Sequence, residues 1–221
     1  MSMIKNIFLL FVLIITATGC ASGIGKLEVD SLNQVEKDEI IIVGKIKLDP
    51  VLNDIEQELN TRAPFPLNLF DNVKTLHKNK ISISINKEPI DITHDDAMWE
   101  QHVTTVNLEK TFFIRIKRSG MLYYSGGIVK TAINENLNNK LFFPGGVKYK
   151  IKSSDRAIYV GTIEYYRDFN EVEKVQLLNE YSQAKKEFEN KFGNNIRLRK
   201  VQVLNNKDKV IMKDSLTTKN I

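Results

Sequence analysis

Apolar and polar side chains alternate along most of the chain after residue 39, and the alternation predicts β-strands. In Ile40–Leu48, Ile81–Ile85, Phe112–Lys117 and Val147–Ile151, at least every second residue is apolar. A period of two places one face of a strand in a core and the other in solvent, as in antiparallel sheets. Ala157–Tyr166 is apolar on both faces, so we predict a central, covered strand there.

Three further strands follow from shorter apolar runs. Leu122–Lys130 carries Gly126 and Gly127 in mid-run, which indicates a bulge or bend within a strand. Val172–Leu178 and Arg197–Leu204 are the other two. Six to eight strands at this spacing predict a mostly-β fold, a single antiparallel β-sandwich over residues 39–204 with one or two peripheral α-helices.

Two segments have the apolar spacing of helices. Asp49 and Pro50 suit the N-cap and first position of one helix. Its apolar face would consist of Val51, Leu52, Ile55 and Leu59. The second helix is predicted to open at Asn179 and to end before Gly193, with Glu180 in its first turn and Lys191 in its last. Its apolar face would consist of Tyr181, Ala184, Phe188 and Phe192.

The segment Phe142–Ile151 reads FFPGGVKYKI. Proline fixes φ at a corner and glycine accepts a positive φ, so Pro144-Gly145-Gly146 predicts a turn before a strand. The segment resembles the proline-glycine turn and following strand of transthyretin-like and carboxypeptidase-regulatory β-sandwiches. The resemblance implies a sandwich and no particular activity.

The N-terminus has the organisation of an export signal. Lys5 supplies a positive charge, Ile7–Ile15 is an unbroken apolar run, and Thr16–Gly19 are small residues. Nine apolar residues are too few to span a bilayer, which takes about 20. Cys20, the only cysteine, follows directly, and the segment Ala17-Thr18-Gly19-Cys20 resembles the lipobox of bacterial lipoproteins. An ordinary secretory signal cut near Ala21 or Ser22 is the alternative.

The lipobox resemblance implies a signal peptide over residues 1–19 and attachment to the membrane through a lipidated Cys20. Because Ala21 and not Asp follows the cysteine, it also implies the outer membrane, facing the periplasm or the surface, if the host has two membranes, and otherwise the cell membrane. Residues 20–38 are polar without clear periodicity and predict a flexible tether. Residues 205–221 predict a disordered tail.

The net charge is +5, from 32 basic and 27 acidic residues. This small excess of basic residues is unlike the concentrated basic stripes of nucleic-acid-binding proteins. We therefore expect no nucleic-acid partner. Lysines on alternate positions, Lys148, Lys150 and Lys152 above all, would form a cationic face if they shared one sheet with Lys45, Lys47, Arg115 and Lys117. Such a face would suit anionic envelope components. Solubility and protection of edge strands explain the same lysines without a partner.

The sequence offers few groups for catalysis. There is no Gly-x-Ser-x-Gly motif, and Ser125 beside Gly126 is explained by a bend in a strand. His94, Asp96 and His102 are candidate metal ligands by chemistry, but their spacing matches no metal motif, and we favour a polar loop between strands in which the Asp residues form turns. We predict no cofactor. Trp99 in the same loop is a candidate for a binding surface, or else packs on the core.

Two functions remain. The first, which we favour, is a lipid-anchored cell-envelope protein without catalytic activity, which binds another envelope component or has a structural role. The second is an envelope hydrolase or metal-dependent enzyme centred on residues 94–102.

Overall fold

The computed structural model describes residues 28–54, 56–57, 79–92, 103–134, 137–169, 171–201 and 203–205. These residues form two five-stranded sheets and one α-helix, which confirms the predicted mostly-β fold with a peripheral helix. The strands are β1 (Glu39–Asp49), β2 (Lys80–Asn86), β3 (Thr104–Asn107), β4 (Thr111–Lys117), β5 (Met121–Asn134), β6 (Leu137–Lys150), β7 (Ala157–Asp168), β8 (Glu171–Leu178), β9 (Leu198–Lys200) and β10 (Val203–Asn205).

The first sheet has the order β4-β1-β7-β8, and β9 pairs with the start of β7. The β1–β7 and β7–β9 pairs are parallel, so this sheet is mixed and not antiparallel throughout as predicted. Parallel neighbours need a long connection. Here most of the second sheet lies in the chain between β1 and β7, so no tight turn forces them to run in opposite directions.

The second sheet has the order β10-β6-β5-β2-β3 and is antiparallel throughout its described pairs. Its centre is the long hairpin of β5 and β6. The edge strand β3 was not predicted, because Val106 is its only apolar residue and four residues are too few to show a period of two.

The main core lies between the two sheets. Ile40, Ile42 and Ile46 of β1 belong to one buried cluster with Ile81 and Ile83 of β2, so the inner faces of the two sheets pack against each other. Between the same faces, the rings of Phe143 and Tyr165 meet edge to face with centroids 4.9 Å apart. This is the sandwich packing predicted from the alternation.

The helix α1 (Tyr181–Phe192) covers the outer face of the first sheet. Its buried residues Ala184, Phe188 and Phe192 pack in a second cluster with Ile41, Val43, Phe113 and Tyr159. This contact explains why four consecutive residues of β1, Ile40 to Val43, are buried on both faces of the sheet. The predicted helix and its apolar face are confirmed, but the helix begins at Tyr181, so Glu180 precedes the first turn instead of lying in it. Glu180 is the N-cap and Gly193, at φ 75°, ends the helix.

The first predicted helix does not begin at Pro50. Asp49 is the last residue of β1, and helical residues begin at Asp54 behind an Asn53 cap. The Asn53 Oδ1 accepts a hydrogen bond from the Glu56 N–H (3.0 Å), and the Glu56 Oε2 accepts one from the Asn53 N–H (2.8 Å). This reciprocal capping competes successfully with a start at Pro50. Ile55 and Leu59, predicted on its apolar face, lie outside the described residues.

The predicted tether is wrong for residues 28–38. The Val29 N–H donates a hydrogen bond to the Phe113 carbonyl (2.7 Å), and the Val29 side chain is fully buried. Leu32 and Val35 pack against the second cluster, between α1 and the outer face of the first sheet. These apolar residues show no periodicity in the sequence, yet they lie next to an apolar sheet face in the fold. Residues 28–38 therefore belong to the packed domain, which was predicted to begin at residue 39.

Pro144, Gly145 and Gly146 do not form the predicted turn. They lie inside β6, where Pro144 pairs with Gly126 at a register shift between β5 and β6. A Cβ atom on Gly145 would collide with backbone atoms of Tyr124 and Ser125, so glycine is required here by a close approach of two strands. The turn that carried the resemblance to transthyretin-like sandwiches is therefore not formed.

The predicted strand over residues 197–204 is two strands in different sheets. β9 pairs with β7 in the first sheet, and β10 pairs with β6 in the second. Val201 lies between them, is 5% exposed and belongs to the main core. Asn205, the first residue of the predicted tail, pairs with Val147 in β10. The chain thus crosses from one sheet to the other and joins them at this position.

Candidate functional site

Several residues that the sequence singled out lie outside the described residues: Cys20, His94, Asp96, Trp99 and His102. The residues on either side of the 93–102 segment are described. Ile92 and Val103 pack with Ile128 and Phe142 on the outer face of the second sheet. Both ends of that segment are therefore attached to the same small apolar cluster.

Lys148 and Lys150 lie on the outer face of β6, in the second sheet. The Lys148 Nζ lies 5.7 Å from the centre of the Tyr123 ring, and Lys150 is exposed. Lys152 follows the strand, where its backbone N–H donates to the Asp155 carboxylate (2.7 Å). These three lysines remain a candidate surface of limited extent.

The larger cationic face is not formed. Lys45, Lys47, Arg115 and Lys117 belong to β1 and β4, in the other sheet. Three of them are also paired with acids of the protein itself, and one of these pairs joins Arg115 to Glu39 at 3.6 Å. The Lys47 Nζ lies 2.5 Å and the Lys45 Nζ 3.3 Å from the Glu180 carboxylate. The lysines do alternate along their strands as predicted. The strands that carry them, however, belong to two different sheets, so the basic residues of β1 and β4 do not share a face with Lys148, Lys150 and Lys152.

Glu180 joins the start of α1 to the first sheet. Its carboxylate accepts a hydrogen bond from the Thr162 hydroxyl (3.0 Å), and its backbone N–H donates to the Tyr159 hydroxyl (2.9 Å). Burial raises the pKa of Glu180, but the hydrogen bonds from Lys47 and Thr162 and the charge of Lys45 outweigh it, so this pKa is below its usual value. The Glu180 hydrogen bond raises the pKa of Lys47. The arrangement holds a fixed ion pair under the helix.

Ser125 has a structural contact. Its hydroxyl accepts a hydrogen bond from the Ile90 N–H (2.9 Å), which holds residues near 90 over the second sheet. Gly126 beside it has a φ of 124°, and the register of β5 shifts there against both neighbouring strands. The predicted bulge is confirmed.

Three tyrosine hydroxyls lie in the main core. Tyr165 donates to the Pro144 carbonyl (2.8 Å), which leaves the Tyr124 hydroxyl, 2.9 Å away, to donate to Tyr165. The Tyr149 hydroxyl is buried and has no hydrogen-bond partner among the described residues. Burial raises the pKa of all three tyrosines above the usual value, so they stay protonated.

Arg167 is buried at the end of the sandwich where β1 and β7 finish. Its guanidinium makes a two-pronged ion pair with Glu56, with contacts of 2.6 and 2.7 Å. It also donates to the carbonyls of Pro50 (2.9 Å), Val51 (3.1 Å) and Phe169 (2.7 Å). All five N–H donors of this side chain are therefore used. Burial raises the pKa of Glu56, but the hydrogen bonds from Arg167 and Asn53 and the charge of Arg167 bring it below its usual value.

The Arg167 contacts hold two exposed apolar side chains at one end of the molecule. Phe169, at the tip of the β7–β8 hairpin, is 79% exposed, and Val51 is 59% exposed. Phe169 has a φ of 48°, in the left-handed region that aromatic residues rarely occupy. The backbone of both residues is fixed by the same buried guanidinium. We call this surface, consisting of Asp49, Val51, Asp54, Asp168, Phe169 and Glu171, the Phe169 end.

The Phe169 end is acidic around its apolar centre. Asp49, Asp54, Asp168 and Glu171 are all exposed. Among the described residues, Arg167 is paired with Glu56, and the Lys174 Nζ lies 4.8 Å from the centre of the Tyr166 ring and keeps its charge. The surface therefore combines a large apolar side chain with excess negative charge.

Sequence analysis did not select Phe169. A signal was present, since an aromatic residue stands between Asp168 and Asn170, two residue types that favour turns. An apolar residue at such a position is unlike the polar composition expected of a hairpin tip. Its exposure, however, depends on pairing between distant parts of the chain.

No family model, no curated protein and no solved structure matches this chain. Within the described ranges, no group of three or more His, Cys, Asp or Glu residues is arranged to hold a metal ion. The part of the chain with described coordinates includes no helix long and apolar enough to cross a membrane.

Proposed function

We propose that this protein is a lipid-anchored cell-envelope protein without catalytic activity, which binds another macromolecule through its Phe169 end. The anchor is the acylated Cys20. In a host with two membranes we place the protein at the outer membrane, and otherwise at the cell membrane. The observation that supports a binding role is Phe169, which is 79% exposed on a backbone held by a buried arginine.

A lipid on Cys20 keeps the domain close to the membrane. Two or three acyl chains attach a protein firmly, since each buried CH₂ contributes about 0.8 kcal/mol. Only seven residues separate Cys20 from Glu28, which pairs with Ile114 of the first sheet. A chain of that length spans at most roughly 30 Å. The sandwich would therefore meet partners within the envelope and not in free solution.

The exposed aromatic residue favours binding over a purely structural role. Interface energy is concentrated in a few residues, and aromatic side chains are enriched among them. Binding costs less when the contact residue is already ordered, because less conformational entropy is lost. Phe169 meets both conditions. It is aromatic, and its backbone is ordered because the buried Arg167 side chain donates hydrogen bonds to its carbonyl and to that of Val51.

Two measurements test the proposal. During growth with a radiolabelled fatty acid, the natural chain should be labelled and Cys20→Ser should not. A photo-crosslinking amino acid at position 169 should give a discrete adduct in intact cells. The same group at position 177, where Leu177 is the exposed apolar residue of β8, provides the matched control. Label that persists in Cys20→Ser would show that Cys20 is not the lipid anchor. Equal crosslinking from both positions would show that the Phe169 end is not a specific binding surface.

A further inference from the structure

We propose that the Phe169 end recognises a cationic protein surface with an apolar recess, in which the Phe169 ring is buried. This inference rests on the proposed binding function and names the chemistry of the partner. It follows from the rigid backbone of Phe169 and from the acidic groups around it, whose charge is opposite in sign to the net charge of the chain.

Among the described residues at this end, acidic groups outnumber basic ones, whereas the whole protein has a net positive charge. The chain carries a net charge of +5, whereas the exposed charged members of the Phe169 end are the carboxylates of Asp49, Asp54, Asp168 and Glu171. Arg167 does not neutralise them, because its charge is matched by Glu56 at 2.6 Å. Complementary potentials steer association and select partners. A partner surface rich in lysine or arginine is therefore favoured.

The same carboxylates argue against a membrane as the occupant. An aromatic residue that enters an anionic bilayer is usefully accompanied by basic side chains, which are attracted to the headgroups. Phe169 has Asp168 before it in the chain, and Asp168 pairs with Glu171 across the hairpin. These charges would be repelled by anionic lipid. A protein partner with basic residues around a recess accommodates both the ring and its acidic surroundings.

The backbone geometry is suited to a preformed contact. Phe169 adopts its left-handed φ while the Arg167 guanidinium binds its carbonyl and those of Pro50 and Val51. Two segments of backbone, at residues 50–51 and at residue 169, are thus fixed relative to each other at the base of the exposed ring. The ring can enter a recess without ordering of the hairpin, so the conformational entropy lost on binding does not include that of the hairpin backbone.

The test uses the chain from residue 20 to residue 221 with Cys20→Ser, which contains every described residue. The probe is a short peptide in which two leucines are flanked by lysines, and the matched peptide has glutamate in place of each lysine. Amide chemical shifts measured by NMR during titration report the site. We expect the lysine peptide to shift Val51, Asp168, Phe169 and Glu171, and the glutamate peptide to leave them unchanged. Raising the salt concentration should weaken the binding.

Phe169→Asn is the decisive variant, because asparagine tolerates a left-handed φ and the fold should be retained. We expect it to weaken binding of the lysine peptide at least tenfold, whereas Leu177→Asn should leave binding unchanged. Shifts at other residues, or equal binding by Phe169→Asn, would overturn the inference. So would binding to phosphatidylglycerol vesicles that depends on Phe169, which would identify a membrane. Shifts at the same residues on dilution without peptide would identify a second copy of the chain instead. None of these outcomes depends on fatty-acid labelling of Cys20, so failure of the anchor is measured separately.

Discussion

Arg167 and Tyr149 show two different outcomes of burying a polar side chain. Arg167 is 5% exposed, yet each of its five N–H groups has an acceptor. A buried charge is tolerated only when it is paired and hydrogen-bonded in this way. Tyr149 is also buried, but its hydroxyl has no partner among the described residues. Arg167 therefore organises one end of the molecule, whereas the buried Tyr149 hydroxyl lowers the stability of the fold.

A buried tyrosine hydroxyl without a described partner, in Tyr149, and one with two partners, in Tyr165, give a prediction about the effect of removing one atom. Tyr149→Phe removes a hydroxyl without a described partner, so the free energy of unfolding should stay the same or rise, by up to about 1–3 kcal/mol. Tyr165→Phe leaves the Pro144 carbonyl and the Tyr124 hydroxyl without their partner, so it should lower that energy by a similar amount. Urea unfolding of both variants measures the difference. Equal destabilisation by the two substitutions would show that the Tyr149 hydroxyl is satisfied.

At the scale of elements, helix α1 is part of the fold. Phe188 is fully buried, and its ring centroid lies 6.5 Å from that of Phe113 on the first sheet. Removing a buried phenylalanine side chain costs about 3–5 kcal/mol, a large part of the roughly 5–15 kcal/mol that stabilises a domain. Phe188→Ala should therefore severely destabilise or unfold the protein.

Lys185→Ala is the control for Phe188→Ala. Its side chain is 48% exposed and forms a surface pair with Glu189, so its loss should cost well under about 1 kcal/mol. Thermal unfolding followed by circular dichroism compares the two variants. A Phe188→Ala protein that melts like the control would show that the helix is held by something other than its apolar face.

The elements also show what the sequence can predict. Period-two alternation predicted β1, β2, β4 and the end of β6, because alternation reports which face of a strand is buried, and an apolar run on both faces predicted β7. Neither pattern reports which strand lies alongside, so the parallel pairing of β1 with β7 was missed. Pro144-Gly145 has the local chemistry of a turn, but the close approach of β5 places it inside a strand.

The contacts that build the candidate site could not be predicted from the sequence, for the same reason. Arg167 and Glu56 are 111 positions apart, and no local pattern relates them. Phe169 is apolar, so hydrophobic patterning alone assigns it to a core. Its exposure follows from the hairpin and the Arg167 contacts, which exist only in the folded chain. By contrast, the apolar face of α1 was predicted because all its residues lie within twelve positions.

At the scale of the whole molecule, the C-terminal crossing joins the two sheets. Val201 lies in the main core, and its N–H donates to the Tyr159 carbonyl (3.2 Å) before the chain enters β10. A chain ending at residue 200 would lose this contact and expose the edge of β6. Its melting temperature should fall by several degrees, since about 1 kcal/mol shifts the midpoint of a domain this size by roughly 2–4 °C.

Deletion of residues 208–221 is the control for the C-terminal crossing. It keeps β9, Val201 and β10, and the deleted residues lack a periodic apolar face in the sequence. Its melting temperature should equal that of the full chain, measured by differential scanning calorimetry. Equal stability of the two truncated chains would mean that the crossing contributes nothing to the joining of the sheets.

Three described carboxylates, in different parts of the molecule, have pKa values that make the stability of the whole protein depend on pH. Burial raises the pKa values of Glu56, Asp155 and Glu180, but in each case hydrogen bonds and basic partners outweigh it, so all three fall below the usual 4.5 for Glu and 3.8 for Asp. The unfolded chain therefore binds more protons than the folded one in this range. Their contribution to stability is complete above about pH 5 and is lost as the pH falls through the lowered values.

The acid response can be tested at Glu56. Thermal unfolding of the natural chain between pH 7 and pH 3 should show a melting temperature that falls steeply below about pH 4.5. Glu56→Gln cannot titrate there and leaves the Arg167 charge unpaired, so it should be less stable at pH 7 and should lose less on acidification. The slope of melting temperature against pH is the quantity compared, since the two proteins start from different stabilities. Parallel slopes for the two proteins would show that Glu56 has the same pKa in the folded and unfolded chains.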